Sequence, residues 1–333
     1  PAVRPSGSTV GPRRLSFALV TLGCGCLLAG CAGSSLAAAV ALPTNSPSRA
    51  AGAAPPSAGG GHPGRLPPDA ASPLTADAAQ QLVFSNRYDE AERSYASLVS
   101  ADPGNVAARA GYALFLNYRM DFAGAKRQAQ AAVAAGPRDA RAYAVLCRVD
   151  DWSGDIPGAV AAGQQAVALD PNDILSHLFY SEALGDHGQI SDARNQLATA
   201  KTLLTLRSTQ YEQAEVLREQ GNLARDAGDL HGEVDAYKQA VLLQPGWVER
   251  PSELAGAYLD NNDLKSAHDA LQTALSLAPD DAGLLESLGN ISMTQNDYIS
   301  ADAAFGKLAA LRPTDANSLT LAAHSHMAHT ADA

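Results

Sequence analysis

The chain is poor in charge, aromatic rings and sulfur. Of 333 residues, 18% are charged, 5% are aromatic and four are cysteine. Basic residues are the scarcer sign, 24 against 35 acids, for a net charge of −11. A protein that grips phosphates needs the opposite balance, so nucleic-acid binding is not expected. Three of the cysteines crowd into the first 31 residues, which leaves Cys147 without a partner and excludes a disulfide framework. There is no Gly-rich phosphate loop, no paired-Cys zinc site, no His-Glu-x-x-His helix and no nucleophile elbow. No catalytic residue, cofactor or metal site is therefore read from the sequence. The apolar run Leu15 to Leu28 is short of the roughly 20 residues that a membrane-spanning helix needs. A hydrophobic content of 46% still suffices for a packed core.

Arg4, Arg13 and Arg14 precede that run and are the only charges before residue 49. A basic start, a short apolar run and then small residues is the order of an export signal. The run ends in Leu28-Ala29-Gly30-Cys31, which resembles the lipobox of bacterial lipoproteins. The resemblance implies a signal peptide over residues 1–30, cleavage before Cys31 and acylation of its sulfur. Two acyl chains on one residue supply the double anchor that stable membrane attachment requires. The implied location is the periplasmic side of an outer membrane, or the outer face of the cytoplasmic membrane in a one-membrane host. Residues 31–71 are dominated by Ala, Ser, Gly and Pro, a composition that buries too little apolar surface to offset chain entropy. They are expected to form a flexible tether.

Beyond residue 72 the chain repeats. Prolines fall at 103, 137 and 171, then at 245, 279 and 313, a spacing of 34 interrupted once by 74. Small residues keep the same register: Ala79, Ala113, Cys147, Ser181, Gly221, Ala255 and Gly289. Two crossing helices leave room only for a small side chain there. A second small column is Ala91, Ala125, Ala159, Ala193, Ala267 and Ala301, with Glu233 departing in the fifth unit. Asn86, Gly154, Gly188, Gly228, Asn262 and Asn296 tolerate the left-handed backbone that ends a helix. Asp121, Asp155, Asp229, Asp263 and Asp297 are placed to cap the helix that follows.

A 34-residue period with these columns resembles the tetratricopeptide repeat. The resemblance implies an all-α fold, a solenoid of about seven helix-turn-helix repeats wound as a right-handed superhelix. The array is expected over residues 72–313, with the fourth unit lengthened by six residues near Lys201 to Ser208 and helices extended on either side. Residues 315–329 are expected to form a capping helix over the last apolar face.

The inner, concave face is the expected binding surface. Phe84, Tyr118 and Trp152 lie 34 apart at the ends of first helices, which predicts a ladder of rings roughly 10 Å apart. Such rings either anchor a peptide or helix, or fill the gaps between units. Arg218, Asn222 and Arg225 share one helix face, and Arg148 has the same outlook in the third unit. Arg with Asn would hold an acidic or carboxylate-bearing segment, unless that face is solvated and closed by internal ion pairs that include Glu215 and Asp226. Of the tail histidines, His326 and His329 share a helix face and His324 does not. The leading expectation is a lipid-anchored scaffold that docks other envelope proteins in the groove. The alternatives are a non-catalytic accessory subunit of an envelope enzyme, and a glycan or peptidoglycan binder.

Overall fold

A computed structural model of the chain describes residues 74–205 and 207–332. The signal peptide, Cys31 and the tether up to residue 71 lie outside the described residues. Helices pair in chain order. α1 (Ala76–Phe84) and α2 (Tyr88–Ala101) form the first hairpin, α3 (Val106–Tyr118) and α4 (Phe122–Ala135) the second. α5 (Ala140–Ser153) with α6 (Ile156–Leu169) and α7 (Ile174–Asp186) with α8 (Ile190–Leu203) are the third and fourth. α9 (Gln210–Asp226) with α10 (Leu230–Leu243), α11 (Glu249–Asp260) with α12 (Leu264–Leu277), and α13 (Ala282–Thr294) with α14 (Tyr298–Leu311) complete seven units. α15 (Ala316–Asp332) packs on α14 as a cap. Among the described residues there is no strand, and no helix is long and apolar enough to cross a membrane.

Local chemistry explains each hairpin. Asp121, Asp155, Asp229, Asp263 and Asp297 each accept a hydrogen bond from the backbone N–H three residues on, which satisfies one orphan donor at the start of the second helix. The turn before it needs one left-handed residue per unit. Six are the Asn and Gly residues of the sequence column, and the seventh is Met120, at φ 61°. The small column is buried throughout, and its glycines show why. A Cβ added at Gly221 would come within 2.9 Å of the Tyr237 ring, and one at Gly289 within 2.6 Å of Phe305. In these two units the large ring on the second helix packs on bare backbone of the first.

The lengthened unit differs from expectation. α8 keeps the 14 residues of the other second helices. The extra residues fall in the connection after Leu203 and in α9, which has 17 residues against 13 in α3 and α7. A capping box, Thr209 with Glu212, starts α9 early and holds its added turn. Only one of the two flanking helices is therefore extended. The apolar core runs unbroken from α1 to α9 and takes in Trp247, and a second cluster begins at Val248.

Candidate functional site

The connection between α10 and α11 meets the first unit. The Asn86 side-chain amide donates to the Gly246 carbonyl at 2.8 Å, and its oxygen accepts from the Val248 backbone N–H at 3.1 Å. Tyr88 adds a hydrogen bond to Glu249 at 3.3 Å. Asn86 holds positive φ, so one residue both turns the first hairpin and clasps a segment 160 residues away.

Trp247 drives this contact. It is 1% exposed and sits between the ring of Phe84, at 5.0 Å, and that of Tyr118, at 5.2 Å. Tyr211 of α9 stacks on Phe84 at 5.3 Å, and Trp152 meets Tyr118 edge-on at 5.7 Å. The expected column of rings one repeat apart is thus interleaved with two rings from the fifth unit. The reason is curvature: the superhelix brings units one and five together, so the gap these rings fill lies across the groove.

Beside the rings lies a network of charge. Arg148 pairs with Glu182 at 2.8 Å and Glu215 at 2.7 Å. Arg218 pairs with the same two carboxylates at 2.8 and 3.3 Å. Arg250 pairs with Glu215 at 2.7 Å and Glu253 at 2.8 Å. Three guanidiniums thus balance three carboxylates from α5, α7, α9 and α11. Burial alone would raise the Glu182 carboxyl, but Arg148 and Arg218 outweigh it and hold it down to about 2. Glu215 is lowered further still, because Arg148, Arg218 and Arg250 together overcome its desolvation. The Tyr118 hydroxyl accepts from Arg148 at 3.2 Å, and the Trp152 indole N–H donates to Glu182 at 3.1 Å.

Two cavities flank this plug. The larger, about 710 Å³, lies toward the N-terminal units. Ala110, Leu114, Val145 and Leu175 give it apolar surface, and Phe84, Tyr211 and Trp247 form an aromatic wall. Its polar lining includes Asp77, Asp139, Glu212 and Arg141, the last already paired with Asp173 at 2.6 Å. The smaller cavity, about 50 Å³, has room for only a few waters. Trp152, Arg218, Asn222 and Arg225 line it, together with Glu233.

The seven sequence-read residues therefore fall into distinct roles. Phe84 borders the larger cavity, Tyr118 stands in the plug, and Trp152 faces the smaller cavity. Arg148 and Arg218, 1% and 5% exposed, are engaged by internal carboxylates and do not form a free cationic face. Asn222 is also buried: it accepts from the Tyr237 hydroxyl at 2.7 Å and donates to Glu219 at 3.1 Å. Arg225 is partly exposed, 3.6 Å from Glu233 and 3.8 Å from Asp260. Cys147 is buried and free, its thiol donating to the Phe179 carbonyl and pushed up by burial. The sequence reading missed Trp247, Tyr211, Glu182 and Arg250. For Trp247, Tyr211 and Arg250 the one local signal is the lengthened fifth-unit helix, followed by the Pro245-Gly246-Trp247 break, and Glu182 has none.

Repeated hairpins, one left-handed turn per unit and a terminal cap define an α-solenoid. Residues 253–316 match the tetratricopeptide repeat family model. The fold is similar to that of a chain in the crystal structure of the APC/C hetero-tetramer Cut9–Hcn1, with 18% identity and a TM-score of 0.53, over 75% of this chain and 48% of that one. The present chain thus spans about half the length of that relative. It is also similar to TTC0263, a thermophilic TPR protein of Thermus thermophilus, with 22% identity and a TM-score of 0.49, over 56% of this chain and 99% of that one. No curated protein matches the chain in sequence. The described residues form an all-α helical repeat solenoid, and the tetratricopeptide match covers its residues 253–316. That fold supports protein–protein interaction in general and is typically non-catalytic.

Proposed function

We propose that the chain is a docking scaffold of a bacterial cell envelope, anchored through Cys31, that holds a peptide or helix segment of a partner protein in its inner groove. The observation that carries this reading is the cavity of about 710 Å³, with apolar surface, an aromatic wall and a polar fringe. That is the arrangement in which a few buried anchors supply most of the binding energy. Carboxylates outnumber cations around it, and its one arginine is already paired, so it favours a segment with apolar anchors and flanking Lys or Arg. Phe84 is the anchor contact on this side. Tyr118, Arg148 and Arg218 hold the wall in place, while Trp152, Asn222 and Arg225 belong to the smaller cavity. The chain performs no chemistry of its own. Attachment to a shared membrane would raise the effective concentration of membrane-bound partners without any further contact.

The test is selection of a random peptide library on the immobilised full-length protein, beside an Ala107→Trp variant. Ala107 is exposed and lines the cavity, so the added indole fills the groove without entering the core. The expected result is enrichment of basic peptides with bulky apolar residues, their binding lost in the variant while its thermal melt is unchanged. Failure to enrich any peptide, or binding indifferent to Ala107→Trp, refutes groove docking. Saturable binding of cell-wall fragments, blocked by the same substitution, would favour the glycan reading. Anchoring is checked separately: Cys31→Ser should move the protein from the membrane to the soluble fraction.

A further inference from the structure

His326 and His329 lie one helical turn apart on α15, and the sequence around them shows no third ligand. Packing of α15 on α14 supplies one. Asp302 of α14 faces both rings, its Oδ2 lying 3.2 Å from His326 Nδ1 and 3.0 Å from His329 Nδ1. One donor atom from each of the three residues lies within 4.8 Å of the others. The group is open to solvent, with side-chain exposures of 24% for Asp302, 67% for His326 and 37% for His329.

We propose that Asp302, His326 and His329 form a binding site for a divalent transition-metal ion of the zinc class, with water completing the coordination. Two imidazoles and one carboxylate are the nitrogen and oxygen donors that zinc takes, and three protein ligands leave a fourth position open. The spacing fits as well. Metal–ligand bonds of about 2.1 Å set tetrahedral donors about 3.4 Å apart. Small side-chain rotations open the observed 3.0 and 3.2 Å separations to that value. Because the ligands come from two helices, the ion would staple the terminal cap to the last repeat. His324, two positions before His326, is exposed and lies outside the group.

The test uses the full-length protein after removal of metal with a chelator. Zinc is titrated by calorimetry, and cobalt is added as a spectroscopic probe. The expected result is one ion per chain and a cobalt visible band typical of nitrogen and oxygen ligands. Affinity should fall at least about tenfold in His326→Ala, His329→Ala and Asp302→Asn, and stay unchanged in His324→Ala. Zinc should also slow amide exchange in α15 of the wild type but not of Asp302→Asn. All four side chains lie outside the core, and an unchanged helical circular dichroism spectrum confirms that each variant folds. Absence of saturable one-to-one binding overturns the proposal, leaving the three residues as a hydrogen-bonded contact. So does equal weakening by His324→Ala, which would assign the ion to the tail imidazoles alone.

Discussion

Glu233 occupies a position where the other six units carry alanine, and the consequence is measurable. Its side chain is 1% exposed, and neither oxygen has a hydrogen-bond partner. Burial pushes its carboxyl up to about 7, with Arg225 opposing the shift and Asp260 and Asp226 adding to it. A rise from 4.5 to about 7 corresponds to about 3 kcal/mol at most. The site borders a cavity, so screening reduces this to about 1–2 kcal/mol. The folded state binds this proton more tightly than the unfolded chain. The contribution is therefore full below pH 4.5 and is lost as pH rises through about 7. Glu233→Gln removes the titration and keeps the shape. At pH 8 the variant should be more stable than the wild type by about 1–2 kcal/mol, and this advantage should shrink toward pH 5. Urea unfolding midpoints collected across that range give the difference directly. Glu249, whose carboxyl is also pushed up to about 7, adds the same slope to both proteins and cancels. Parallel profiles for the two proteins would refute the reasoning, because Glu233 would then not titrate on folding.

Three further outcomes follow from the same structure. Glu215→Gln leaves Arg148, Arg218 and Arg250 short of one buried negative charge and should cost about 3–5 kcal/mol in urea unfolding. Met120→Asn places at φ 61° the residue type that three other units use there, and should raise stability by about 0.5–1 kcal/mol in the same assay. Asn86→Gly keeps the positive φ but removes both hydrogen bonds to the α10–α11 connection. It should cost about 1–3 kcal/mol and speed amide exchange in α1 and α2, which locates the loss in the first unit.

The sequence exposes what the 34-residue period enforces and hides what curvature creates. Caps, left-handed turns and small crossing residues obey spacings of a few residues within one hairpin, so Asp121, Gly154 and Ala113 could be placed without coordinates. Trp247 could not, because its partners Phe84 and Tyr118 are more than a hundred positions away. They meet it only through small rotations summed over four repeats. Arg148 and Arg218 were legible as inner-face residues, and an internal pair of Arg218 with Glu215, three apart on α9, was legible beside them; Glu182 was not, since it reaches both arginines from another unit. Asp302 shows the same limit: helix spacing pairs His326 with His329, and only inter-helix packing adds the carboxylate.

The buried charges also bear on how the groove is held. Replacing ion pairs by apolar side chains is often neutral or stabilising, so their net contribution to stability is a weak reason for their presence. Their placement is more informative. The continuous apolar core ends at Trp247 and resumes as a separate cluster at Val248, and Arg250 stands just past that break. Its bond to Glu215 ties α11 back to α9, and its bond to Gln244 ties it to the end of α10, where apolar packing is interrupted. Directional bonds fix an angle that non-directional packing leaves loose. That angle sets where the Trp247 connection lies, and the connection forms one wall of the larger cavity. The cavity is therefore complete only while units one and five are closed on each other. An occupant that contacts both the α1 side and Trp247 binds the closed form alone, so it must stabilise that closure by its own mass action. Binding at the groove and order in the first repeat are thus one equilibrium, and Asn86→Gly should weaken any groove ligand without touching it.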